Sequence, residues 1–153
     1  MRTRRKKGSV KRQITRSKKV KEDGIEFSSK LELYMYRALK KAKIKADYEG
    51  KTFTIINGCQ FPMSSYEKTA KSKQLHDRGN KKLLPIKYTP DFIDVQDPPR
   101  FIIETKGNPN EAFPMRWKLF KMHLVNEGIE TNLFMPRNQK DCDETIAILK
   151  KIL

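Results

Sequence analysis

Cysteine is almost absent from this chain. Cys59 and Cys142 stand far apart, and neither belongs to a Cys-x-x-Cys pair. That argues against a disulfide scaffold and a cysteine-built zinc site, and it fits a reducing compartment. The two histidines, His76 and His123, lack metal-type spacing and read as surface or filler residues. No apolar run approaches the ~18 residues that span a bilayer, so no membrane partner is expected. The basic start leads into no apolar segment of secretory type. Acid is scarce as well: 18 Asp and Glu face 34 Lys and Arg over 153 residues, a formal net charge of +16. Such an excess points to a polyanionic partner, with nucleic acid the first candidate.

The positive charge is uneven. Residues 2–21 hold eleven basic residues and no acid. With so little apolar content, residues 1–24 are expected to be a disordered arm. Arg2, Arg4, Arg5, Lys6 and Lys7 are its candidate phosphate contacts, a tether whose grip weakens with salt. An anionic membrane would attract such a segment too, but no amphipathic face or lipidation signal accompanies it.

The remaining 25–153 read as one domain, long enough to bury a core. Phe27 to Lys43 has helical spacing of Leu31, Tyr34, Met35, Ala38, Leu39 and Ala42, and Ser29 with Glu32 forms a capping-box pattern. Asp47 to Ile56 reads as a strand. Residues 57–84 are polar and lysine-rich and read as a long loop or insertion. Ile86 to Val95 and Arg100 to Lys106 read as two strands joined through Asp97-Pro98-Pro99, hence a hairpin. A helix follows over Glu111 to Asn126, starting nearer Phe113 because of Pro114. Then come a short strand, Ile129 to Met135, and a helix, Lys140 to Ile152. The order predicts an α/β fold with a mixed sheet flanked by helices and a C-terminal helix.

The chemistry concentrates on that hairpin. Asp91 follows Pro90 and opens an apolar run, while Glu104 and Lys106 are two apart and therefore share a strand face. Two carboxylates are hard oxygen ligands for a divalent cation, and a backbone carbonyl near Thr105 adds an oxygen. A lysine beside such a cation can orient or deprotonate a water. Together these groups suit metal-assisted hydrolysis of a phosphodiester, whose own charge repels a nucleophile until a cation neutralises it.

Tyr88-Thr89-Pro90-Asp91-Phe92 followed by Glu104-Thr105-Lys106-Gly107 resembles the PD-(D/E)xK nuclease superfamily. The local strings look closest to phage endonuclease I-like Holliday-junction resolvases and related small phage nucleases. The resemblance implies a restriction-endonuclease-like α-β-β-β-α-β core from about Phe27 to Met135. It implies Glu32, in Ser29-Lys30-Leu31-Glu32, as a third acidic site residue. It assigns Asp91 and Glu104 as metal ligands, Lys106 as the catalytic lysine, and Lys118 or Arg116 as a basic residue on the following helix. It further implies Mg²⁺ as cofactor with Mn²⁺ as substitute, branched DNA as substrate, a homodimer, and the cytoplasm of a bacterial host.

Each sharp assignment has a plainer competitor. Asp-x12-Glu-x-Lys also arises from an exposed strand charge set, and the capping box alone accounts for Glu32. Trp117 and the phenylalanines are expected in the core, and Tyr34, Tyr36 and Tyr66 in packing rather than base stacking. Two other functions stay open: a noncatalytic nucleic-acid-binding protein on a nuclease-like scaffold, and a transposase- or restriction-type cleaving subunit.

Overall fold

Two apolar stretches, Phe92-Ile93 and Phe101-Ile102-Ile103, form the centre of the molecule. Fully apolar strands suit a sheet covered on both faces. A computed structural model describes residues 19–108 and 110–153. It runs β1 (Val20–Glu22), β2 (Ile25–Phe27), α1 (Lys30–Lys41), β3 (Ala46–Tyr48), β4 (Phe53–Ile56), β5 (Cys59–Phe61), β6 (Tyr66–Glu67), β7 (His76–Asp77), β8 (Lys81–Leu83), β9 (Ile86–Tyr88), β10 (Phe92–Asp94), β11 (Phe101–Ile103), α2 (Phe113–Asn126), β12 (Asn132–Phe134) and α3 (Gln139–Ile152). No helix among the described residues is long and apolar enough to cross a membrane.

The central sheet has the order β12-β11-β10-β3. β10 is antiparallel to both neighbours, and β11 is parallel to β12. Side chains alternate across the pleat. Phe92, Phe101 and Ile103 therefore pack with Leu33, Met35 and Leu39 of α1 and Cys142 and Leu149 of α3. Ile93 and Ile102 point the other way, into Phe113, Trp117, Phe120 and Leu124 of α2. The result is a mixed α/β sandwich with helices on both faces. Phe92, Phe101, Ile102 and Ile103 are fully buried, and each such side chain contributes about 1.5–3 kcal/mol of burial.

α1 starts at Lys30, later than the spacing predicts. Ser29 is its N-cap, with its hydroxyl accepting from the Glu32 N–H at 3.2 Å. Phe27 belongs instead to β2, which pairs with β1 around Asp23-Gly24. Both turn residues have positive φ, 51° and 79°, the geometry that Asp-Gly favours in a two-residue hairpin turn. Residues 20–24, expected within a disordered arm over 1–24, therefore form a strand and a turn. Lys19 pairs with Glu26 within this hairpin, and Arg37 with Glu22 and Lys40 with Asp23 tie it to α1. Arg2, Arg4, Arg5, Lys6 and Lys7 lie outside the described residues.

Residues 57–84, expected as a long loop or insertion, are more regular than a loop. They form a two-stranded ribbon. β3 pairs with β10, β4 with β9, β5 with β8 and β6 with β7, all antiparallel. Tyr48 faces Phe92 at the base and Tyr66 faces Asp77 near the tip, so partner numbers add to 140 and then 143. A register drift of three over that length makes the four pairs one nested hairpin with small irregularities. Its sequence hides this because the strands carry few apolar residues to alternate. Each long strand breaks once near the base: Glu49 takes a φ of 49° on one side, and Pro90, which has no N–H, interrupts the other. Thr52 Oγ1 and Thr89 Oγ1 bridge the break at 2.7 Å.

Candidate active site

The break at Thr89-Pro90 places Asp91 just before β10, while Glu104 lies just after β11. Phe92 pairs with Ile103, so Asp91 and Glu104 are the next opposed positions of the same ladder. The Asp91 backbone is fixed there, since its carbonyl accepts from the Glu49 N–H at 2.9 Å. On the other side the chain continues in the extended direction of β11. Glu104 N–H donates to the Phe134 carbonyl and Lys106 N–H to the Pro136 carbonyl, both at 2.9 Å. Glu104 and Lys106 consequently project from one face, and Lys106 Nζ lies 3.6 Å from Glu104 Oε1. The same ammonium sits 4.6 Å from the centre of the Phe113 ring at the start of α2, a cation–π contact that restrains a flexible side chain.

Burial dominates the electrostatics. Glu104 is only 5% exposed. Its pKa is raised by that burial, against a lowering pull from the Tyr88 hydrogen bond and from Lys106. Asp91 is pushed up to about 7, first by burial and then by the negative charge of Glu104, with Glu32 adding to it. Thr105 opposes the shift by donating from both its N–H and its hydroxyl to Asp91 Oδ2, each at 2.6 Å. Two acids that disfavour each other's charge, with one lysine nearby, form a site whose anions lack full compensation.

Glu32 occupies a separate niche on α1, 7% exposed. Its Oε1 accepts from the Ser29 hydroxyl at 2.8 Å, and its Oε2 accepts from the Ser28 N–H at 2.9 Å and the Tyr48 hydroxyl at 2.7 Å. Capping and electrostatic contact with Asp91 thus coexist. Glu32 is not brought into a common cage, however. Among the described residues no three His, Cys, Asp or Glu side chains stand together as a metal-holding group. The reason is local: Glu104 turns to Tyr88 and Lys106, Asp91 to Thr105, and Glu32 to the start of its helix.

The tyrosines are what the sequence reading missed. Tyr88 donates its hydroxyl to Glu104 Oε2 at 2.7 Å within the buried layer, and Tyr48 does the same for Glu32. From sequence, Tyr48 is strand bulk and Tyr88 only opens the Tyr88-Thr89-Pro90-Asp91-Phe92 string, with no role assigned to its hydroxyl. Pairing Tyr88 with Glu104 requires knowing the register and the break at Pro90. Of the two basic candidates on α2, the charge of Arg116 reaches Tyr88. Lys118 is exposed and forms no ion pair with the described residues. Asn138 caps α3, its side chain accepting from the Asp141 N–H at 3.0 Å. Trp117 lies in the core as expected, against Tyr88 and Phe120.

The chain is thus a mixed α/β protein with a carboxylate pair, Glu104 buried and Asp91 half-buried, and a lysine where its two central strands meet at one end. A family model described as "Protein of unknown function (DUF1064)" matches residues 12–135, and the chain belongs to that family. No curated protein and no solved structure matches it.

Proposed function

We propose that the protein is a divalent-metal-dependent endonuclease that hydrolyses DNA phosphodiester bonds, with the restriction-endonuclease-like core of the PD-(D/E)xK superfamily. The observation that carries this reading is the opposed pair Asp91 and Glu104 with Lys106 Nζ 3.6 Å from Glu104. The order α1-β3-β10-β11-α2-β12 supports it, as does the formal net charge of +16.

The donor chemistry fits a hard cation. Asp91 and Glu104 offer carboxylate oxygens, and their charge is disfavoured where they stand, so a cation would relieve a cost already present. Asp91 and Glu104 would hold it, with Glu32 contributing through its field. When bound, the cation supplies Lewis-acid neutralisation of the phosphate and a lowered pKa for water. The rest falls to the chain. Tyr88 fixes the Glu104 rotamer and leaves Oε1 facing Lys106. Thr105 holds Asp91 with two donors on one oxygen, which leaves Oδ1 available. Lys106, restrained over Phe113, presents its Nζ to orient the attacking water or to meet the phosphate charge.

Purified protein with Mg²⁺ on four-way junction, duplex and single-stranded DNA is the direct test. Cleavage that disappears in Lys106→Ala is the expected result. A variant that cuts as fast as the parent would overturn the mechanism. A noncatalytic binder is the second reading, favoured by the fact that each carboxylate already has a donor within the protein. Calorimetry with Mn²⁺ separates the two, since a binder gives no heat that depends on Asp91 and Glu104.

A further inference from the structure

Hydrolysis at Asp91, Glu104 and Lys106 uses none of residues 57–84, yet those residues form a built ribbon. We propose that this ribbon lies in the major groove of duplex DNA and delivers the adjoining backbone to the carboxylates. The identity of the polymer rests on the nuclease proposal above.

Four observations carry it. First, no residue from 57 to 84 is buried. A two-stranded hairpin with no third layer is marginal in water, so this one is made to be covered by something else. Second, its charge is free. Lys68, Lys71, Lys73, Arg78, Lys81 and Lys82 face only two acids, Glu67 and Asp77, in the same stretch. None of the six pairs with a carboxylate among the described residues. The two acids, exposed as well, are engaged by the ribbon's own donors. Asp77 Oδ1 accepts from the Ser65 N–H at 2.9 Å and the Gly79 N–H at 2.8 Å, and Glu67 accepts from the Ser65 hydroxyl at 2.8 Å. The ribbon's exposed surface therefore carries six cations without carboxylate partners against two acids that the ribbon's own donors hold.

Third, the ribbon has a set shape. The Arg78 and Asn80 N–H groups donate to the Ser65 and Met63 carbonyls. A Cβ on Gly79 would come within 1.9 Å of the Met63 carbonyl oxygen, so only glycine allows the strands to approach there. A two-stranded β-ribbon fits the major groove of B-DNA, about 12 Å wide. The major groove of A-form RNA is too deep and narrow to be read this way. Fourth, the ribbon is continuous with the site. β8 leads through Pro85 into β9, whose Tyr88 holds Glu104, and Asp91 follows three residues later. Exposed Tyr66 (66%) and Leu84 (78%) supply apolar contacts. A second copy of this chain would find them too, but six unpaired cations on each ribbon repel a like partner and attract phosphate.

The test uses the full chain without cleavage, in EDTA, by fluorescence anisotropy on a DNA duplex and an RNA duplex of the same sequence. The six basic residues are changed together to Gln. A control carries Lys140→Gln, Lys150→Gln and Lys151→Gln on α3, and melting curves check the fold. The ribbon variant should lose at least about 100-fold in DNA affinity at low salt, with the slope of log K against log salt flattening by about 0.9 per lost phosphate contact. The control and the RNA affinity should change far less. Unchanged DNA affinity overturns the proposal. So does an equal loss on DNA and RNA, which would mean a shapeless electrostatic tether. So does a dimer of the parent that becomes a monomer in the variant with DNA affinity intact. The catalytic reading fails separately: if Lys106→Ala cuts like the parent while the ribbon variant loses DNA, the nuclease mechanism falls and the ribbon stands.

Discussion

The sandwich and the ribbon solve opposite electrostatic problems. In the sandwich, half-buried Asp91 stands beside buried Glu104, and Asp91 is displaced to about 7 mainly by its removal from water. On the ribbon, positive charge is exposed and left without carboxylate partners. The N-terminal hairpin shows that pairing was available to this chain, because Lys19, Lys21, Arg37 and Lys40 all meet carboxylates there. Exposed ion pairs add little to stability, so leaving the ribbon unpaired costs the fold almost nothing. Burying Asp91 and Glu104 together does cost something. Uncompensated charge at a site with defined geometry marks a place shaped for a ligand rather than for stability.

The sharpest way to break this division of labour is kinetic. Glu104→Gln should lower cleavage at saturating DNA by at least about a thousandfold, the scale of losing a principal electrostatic group in a water-excluded site. It should also remove the calorimetric heat of Mn²⁺ binding. If Glu104→Gln instead weakens DNA binding and leaves the saturated rate intact, sandwich and ribbon do not have separate roles. Glu32→Gln refines the same contrast. A loss of rate assigns Glu32 to the site, and a lower melting temperature at full rate assigns it to the cap alone.

Tyr88→Phe should come next. The ring keeps its contacts with Trp117 and Phe120, so the fold should survive. Loss of the 2.7 Å hydrogen bond frees Glu104 to rotate. Groups that orient a ligating side chain typically matter by about 10- to 100-fold in metal affinity or activity, and that is the range expected in a cleavage titration with Mn²⁺. A variant with parent-like metal dependence would reduce Tyr88 to packing. Gly79→Ala acts at the other end of the molecule. Its Cβ has no room beside Met63 and Ser64, so the ribbon must distort. DNA affinity should fall by about tenfold while the rate at saturation stays within about threefold of the parent.

The sequence was most legible where burial is two-sided. Phe101-Ile102-Ile103 has one structural use, and the helices α1, α2 and α3 carry caps, a proline and spacing that declare them. The positions of Asp91, Glu104 and Lys106 were legible for the same reason, since they flank those strands at a spacing the pleat fixes. The ribbon was not, because its strands have no buried face and so no period-two signal. Lys81-Lys82-Leu83-Leu84 alternates nothing, and its pairing with Cys59–Phe61 is inherited from the register at the base. The hairpin β1–β2 was masked by the charge run preceding it, although Asp23-Gly24 is its turn signal. The hydrogen bonds of Tyr48 and Tyr88 depend on contacts 16 residues apart in each case, which local pattern does not encode.

The smallest effect expected is thermodynamic, and its sign distinguishes a site from a structural ion cluster. The folded-state pKa of Asp91, about 7, lies above the ordinary aspartate value of 3.8. Well below pH 3.8 the carboxyl is neutral in both folded and unfolded chains, so no penalty exists. As pH rises from about 4 to 7, the unfolded chain releases its proton while the folded chain retains it, and stability declines. Above 7 the folded protein carries the buried charge and the penalty is complete. Asp91→Asn has no proton to lose, and its side-chain oxygen still accepts from the Thr105 N–H and hydroxyl. Its melting temperature should therefore exceed the parent's by about 3 °C or more at pH 8, on the usual scale of a few degrees per kcal/mol. The difference should shrink to nearly nothing by pH 4. Mn²⁺ should raise the parent's melting temperature at pH 8 and leave Asp91→Asn almost unmoved, because a cation binding the folded carboxylates offsets the penalty that Asn never carries. An Asp91→Asn variant that is less stable than the parent at pH 8 would mean that the aspartate charge stabilises the fold, and the contrast between a strained site and a relaxed ribbon would be lost.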